Sequence, residues 1–197
     1  MSLFVKICGI TDIDAGMAAA AAGADAVGFV FADSPRQLSP SEALAISGEL
    51  PPALLRVAVF RDPVLAEIEE VLERFTPDAV QADVGALDGL NDFTTLPVYR
   101  EGGVEMPDGG RFLYEGLVSG AGQTVDLSKA AAMARLGEMV LAGGLRPDNV
   151  GRAIVTVRPH GVDVSSGVET APGRKDPSLI RSFVAAARAA EERLVNA

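Results

Sequence analysis

The sequence predicts a single-domain α/β protein, a closed (β/α)8 TIM barrel spanning residues 1–197, and three observations carry that prediction. Short β-branched runs alternate with helical patterns from one end of the chain to the other, as in parallel α/β folds. No dinucleotide-type glycine fingerprint follows the first strand, which weighs against the rival architecture, a doubly wound open sheet. The last apolar run alternates Val162 and Val164 with Asp163 and Ser165. Only closure makes the first and last strands neighbours, and it lets an inward Asp163 pair with an inward Lys6.

The first strand contains Val5-Lys6-Ile7-Cys8; with period two, Leu3, Val5 and Ile7 share one face while Phe4, Lys6 and Cys8 share the other. Gly9 permits a tight turn, and Thr11 or Asp12 caps a helix that runs to Ala22 and stops at Gly23. A second strand follows at 26–31 and a second helix at 40–50, opened by Pro40. The third strand covers 55–60 with a helix at 63–75, and the fourth covers 79–84. A fifth strand lies at 97–100, but the glycines and prolines between 102 and 110 leave its helix missing or reduced. The sixth strand, 111–115, leads through the loop 120–126 into a helix ending near Arg135. The seventh strand, 138–142, is followed by a helix at 147–158, the eighth covers 161–165, and a helix from Asp176 to about Leu194 completes the pattern.

The chain has 197 residues, 48% hydrophobic and 22% charged, enough to build one sizeable core. No apolar run reaches the roughly 18 residues that span a membrane, and no export signal is visible, so a cytoplasmic protein without a membrane partner is expected. With 27 acidic against 17 basic residues the net charge is −10, and with no tryptophan for stacking, nucleic acid is excluded as a partner. One cysteine rules out an internal disulfide, and one histidine rules out a Cys/His zinc cluster; no metal and no cofactor are expected.

Cys8, the only cysteine, ends the first strand at the carboxyl rim where such folds bind ligands. It reads either as a small core side chain or as a reactive thiol, whose thiolate a cationic Lys6 would favour. Two loops read as an anion site: Gly143-Gly144 after the seventh strand and Ser165-Ser166-Gly167 after the eighth, where backbone amides hold phosphate in many barrels. Arg36, in the loop after the second strand, offers a bidentate fork for a carboxylate. Asp126 lies across the mouth from Cys8 and also reads as a helix cap. His160 belongs to the opposite rim.

Six segments in family order resemble the phosphoribosylanthranilate isomerase family. They are Lys6-Ile7-Cys8-Gly9-Ile10-Thr11, Gly28-Phe29-Val30-Phe31 with Ser34-Pro35-Arg36, Arg56-Val57-Ala58-Val59-Phe60, 120–126, Leu141-Ala142-Gly143-Gly144-Leu145 with Pro147-Asp148-Asn149, and 163–169. The resemblance implies a cofactor-free (β/α)8 isomerase of tryptophan biosynthesis, monomer or homodimer, with a small phosphosugar substrate. It further implies Cys8 as general base, Asp126 as general acid, Arg36 on the anthranilate carboxylate and Asp163 on a sugar hydroxyl, with Gly143, Gly144, Ser165, Ser166 and Gly167 around the phosphate. Two departures stand out: the family's Gln-Leu-His-Gly reads Gln81-Ala82-Asp83-Val84, and the aromatic pair around the loop-six aspartate is Val125 and Leu127. The alternatives are another aminoaldose-phosphate isomerase on the same barrel, or a barrel that binds phosphate without turnover.

Overall fold

Eight short strands close on themselves in sequence order: β1 (Phe4–Cys8), β2 (Ala26–Val30), β3 (Leu55–Val59), β4 (Ala79–Asp83), β5 (Thr95–Arg100), β6 (Arg111–Glu115), β7 (Glu138–Leu141) and β8 (Gly161–Val164). The structure, a computed structural model, describes residues 2–116 and 125–196. All eight neighbouring pairs are parallel, and β1 closes the barrel with Val5 opposite Val162 and Lys6 opposite Asp163.

Among the described residues, six helices cover the outside: α1 (Ile13–Ala22), α2 (Pro40–Glu49), α3 (Leu65–Leu72), α4 (Leu127–Met133), α5 (Val150–Val157) and α6 (Pro177–Val195). Their starts follow local chemistry. Asp12 accepts from the Ala15 amide at α1, Ser39 and Glu42 form a reciprocal capping box at α2, and Asp176 caps α6 with Pro177 behind it. Thr11, the other capping candidate at α1, instead donates to the Gly173 carbonyl. The carboxyl end of α2 is held by Arg56, whose guanidinium donates to the Ser47, Leu50 and Pro51 carbonyls.

Two crossovers lack a helix. The expected reduction after β5 is present, and residues 101–110 form turns with Gly102, Gly109 and Gly110 at positive φ. The connection after β4 is also reduced, to a 3-10 turn at Val84–Ala86, which the sequence reading did not anticipate. Its eleven residues include Gly85, Asp88, Gly89, Asn91 and Asp92, too poor in helix formers for a segment this short. A two-stranded hairpin, β9 (Glu169–Ala171) and β10 (Arg174–Lys175), was likewise unforeseen.

The outward strand faces and the helices share one apolar core, in which Phe29, Phe112, Ile154 and Phe183 are fully buried. Inside the barrel, Cys8, Ala26, Val30, Val57 and Val59 form one apolar group and Leu96, Val98, Leu113, Val140 and Ala142 another, with Phe4 packed against both. Lys6, Gln81 and Asp163 are the buried polar residues of this interior. Among the described residues, no helix is long and apolar enough to cross a membrane.

Candidate active site

A cavity opens at the carboxyl ends of the strands, lined among others by Cys8, Ser34, Arg36, Gln81, Arg100, Glu115, Asp163 and Ser165. Period two in β1 puts Lys6 beneath Cys8, and the Lys6 ammonium donates to Asp163 Oδ1 at 2.8 Å. Burial acts to lower the Lys6 pKa, but Asp163 and Cys8 more than offset it, and the ammonium stays charged. Cys8 is 7% exposed. Burial pushes its thiol above the ordinary value, and the opposing pull of Lys6 is partly cancelled by Asp163. Lys6 thus pulls toward the thiolate, as a cationic neighbour should, but burial outweighs that pull and the ligand-free thiol is protonated. Gly28 sits opposite Cys8, and a Cβ there would come within 2.9 Å of Sγ, so glycine makes room for the sulfur.

Arg36 does reach the cavity, but Glu169 occupies its fork, with Nε and Nη2 donating to Oε1 and Oε2 at 2.7 and 2.8 Å. Lys175 Nζ meets the same carboxylate at 2.7 Å and also donates to the Ser165 carbonyl and Oγ. Burial would raise the Glu169 carboxyl, yet the two cations carry it below its ordinary range, while burial lowers Lys175. Two cations on one carboxylate leave the cluster net positive. Hairpin β9–β10 holds this arrangement: Thr11 bonds its turn, and a Cβ at Gly173, φ +79°, would lie 2.3 Å from the Pro35 carbonyl. Sequence reasoning missed Lys175 and the pairing of Glu169; the Pro172-Gly173 turn was the available signal.

Across the mouth, Arg100 pairs with Asp83 and, at 3.1 Å, with Glu115. Asp83 therefore anchors an ion-pair cluster bridging the ends of β4, β5 and β6. The loops after β7 and β8 meet. Gly143 and Gly144 adopt φ of +89° and +63°, the Asn149 side chain bonds the Gly144 carbonyl and the Arg146 amide, and Gly167 presses on the Leu145 carbonyl. Ser166 and Gly167 lie in a 3-10 turn at Ser166–Val168.

Asp126 is not among the cavity residues. It is exposed and caps α4, accepting from the Ser128 and Lys129 amides, and the Ser128 hydroxyl, amide and Lys129 amide hold its carboxyl below the ordinary range. The cap reading is thus realised, with the carboxylate ionised. The loop residues 117–124, including most of the expected 120–126 segment, lie outside the described residues. His160 sits at the opposite end of the barrel beside Arg111 and Glu138.

The sequence profile of N-(5'phosphoribosyl)anthranilate (PRA) isomerase matches residues 5–83 and 105–186. The chain belongs to this family. An N-(5'-phosphoribosyl)anthranilate isomerase from Geobacter sp. (strain M21) is 40% identical over 198 residues, 93% of this chain and 97% of that protein. The crystal structure of phosphoribosyl anthranilate isomerase from Thermotoga maritima superposes with a TM-score of 0.85 at 34% identity, covering 95% of this chain and 100% of the other. A phosphoribosyl anthranilate isomerase in complex with reduced 1-(o-carboxyphenylamino)-1-deoxyribulose 5-phosphate gives 0.81 at 34% identity over the same shares.

In this chain Cys8, Asp163 and Arg36 lie together at one cavity, with the paired loops after β7 and β8 alongside. No cluster of three or more His, Cys, Asp or Glu able to hold a metal is present among the described residues.

Proposed function

We propose that this protein converts N-(5-phosphoribosyl)anthranilate into 1-(2-carboxyphenylamino)-1-deoxyribulose 5-phosphate, the aminoaldose-to-aminoketose step of tryptophan biosynthesis, in the cytoplasm and as a monomer or homodimer. The observation that carries this reading is Cys8 at the carboxyl end of β1, in a cavity it shares with Arg36 and Asp163, in a chain of this family.

The reaction needs two proton transfers. Asp126, protonated, donates to the ring oxygen; the C1–O bond breaks as the anilino lone pair forms C1=N, giving an iminium. Cys8 thiolate then removes the C2 proton, and the C2–H electrons form C1=C2 while the iminium electrons return to nitrogen. The resulting enolamine gains a proton at C1 and loses one from its C2 hydroxyl, which gives the ketone; solvent returns the Cys8 proton to Asp126. Each positioned transfer contributes about 10²–10⁴-fold.

The ligand-free protonation states of both groups oppose these roles, and substrate supplies the change. An iminium beside Cys8 lowers its pKa, and covering the exposed Asp126 raises its own. Arg36 holds the anthranilate carboxylate with the donor capacity Glu169 leaves, and Asp163 holds a sugar hydroxyl. Backbone amides around Gly143, Gly144, Ser165, Ser166 and Gly167 hold the phosphate. Supplying substrate made from anthranilate and phosphoribosyl pyrophosphate, and following loss of its fluorescence, tests the reading. Turnover is expected; phosphate-competed binding without turnover would leave only a ligand-binding barrel.

A further inference from the structure

Gln81 is 6% exposed and lines the cavity that holds Cys8, Arg36 and Asp163. Its Oε1 is the one buried side-chain nitrogen or oxygen without a hydrogen-bond partner among the described residues. Folding leaves such an acceptor unpaired only at a cost, and the side chain that carries it lines a binding cavity.

We propose that the Gln81 side-chain carbonyl accepts a hydrogen bond from the substrate's anilino N–H, the nitrogen that becomes the iminium. This rests on the reaction proposed above. That substrate carries two anions, which need donors, and hydroxyl and N–H donors, which need acceptors. Around the cavity Arg36 and Arg100 only donate, while Asp163 already accepts a hydrogen bond from the Lys6 ammonium on Oδ1 and has Oδ2 for a hydroxyl. Gln81 supplies a neutral acceptor. Position agrees: with phosphate beside β7 and β8, the base on β1 and the carboxylate beside the loop after β2, Gln81 on β4 lies toward the anthranilate side. The N–H acquires positive charge as C1=N forms and loses it in the enolamine, so the bond is strongest at the charged stage and favours kcat over binding.

The test uses Gln81→Met, which keeps length and removes the acceptor, and two inhibitors: the reduced product with its anilino nitrogen, and the same molecule with an ether oxygen there. Expected are an unchanged or raised Tm, a 10- to 100-fold fall in kcat/KM mostly in kcat, and an unchanged Kd for inorganic phosphate. Wild type should bind the amine at least tenfold tighter than the ether, and Gln81→Met should bind both alike. Wild-type kinetics in Gln81→Met, or a lost activity matched by a lowered Tm, would overturn the assignment. So would equal binding of amine and ether by wild type, which needs no variant to fold. Absence of turnover in wild type would instead sink the parent reaction.

Discussion

At the scale of single residues, the site is governed by where buried charges find partners. Lys6 is fully buried and satisfied by Asp163, so its influence on Cys8 is that of half an ion pair. The sequence made the inward faces of Lys6, Cys8 and Asp163 legible, because alternation alone determines them. It did not reveal the net effect on the thiol, which depends on burial from strands distant in the chain. Glu169 offers a test of the same physics. Its folded pKa is depressed, so its contribution to stability is present above the ordinary carboxylate pKa and is lost as pH falls through the folded value. Glu169→Gln leaves Arg36 and Lys175 uncompensated and should cost roughly 3–5 kcal/mol at neutral pH. Thermal melts should show the gap to wild type closing as pH drops below about 4.5; a gap independent of pH would show that charge pairing is not its origin.

At the scale of elements, the barrel rim is built by loops that lean on one another. Hairpin β9–β10 ties the loop after β1 to the loop after β2 and delivers Glu169 and Lys175, yet its strands of three and two residues carry no readable periodicity. Strands and capped helices were legible for the opposite reason: β-branched runs and residues such as Asp12, Ser39 and Asp176 act locally. Glycines separate the two kinds of constraint. A Cβ at Gly48 in α2 meets nothing within 4 Å, whereas one at Gly167 would lie 1.9 Å from the Leu145 carbonyl oxygen. Gly48→Ala should therefore stabilise the protein by about 0.4–1 kcal/mol. Gly167→Ala should destabilise it by at least about 1 kcal/mol and raise KM together, since the two phosphate-side loops must part. Denaturant midpoints read both, and a neutral Gly167→Ala would mean that these loops do not need their close approach.

For the whole molecule, closure is what creates the site. Lys6 meets Asp163 only because β1 pairs with β8, and the cavity collects side chains from strands and loops around the rim. The repeating strand pattern announced that architecture. Helix loss after β4 was less legible, since Val84, Ala86, Leu87 and Leu90 offer apolar spacing even though the segment is short and poor in helix formers. The net charge of −10 is not repeated at the site, where Lys6, Arg36, Lys175 and Arg100 are matched by Asp163, Glu169, Asp83 and Glu115 and the excess positive charge sits on the Arg36–Glu169–Lys175 cluster. The proposed reaction assigns removal of the C2 proton to Cys8. The most direct measurement is steady-state turnover of N-(5-phosphoribosyl)anthranilate by wild type and Cys8→Ser at neutral pH, with Tm and phosphate Kd recorded for both. A fall in kcat of at least about 10² with Tm and Kd unchanged is the expected result; near wild-type kcat in Cys8→Ser would make the cysteine a packing residue and contradict its role as the base.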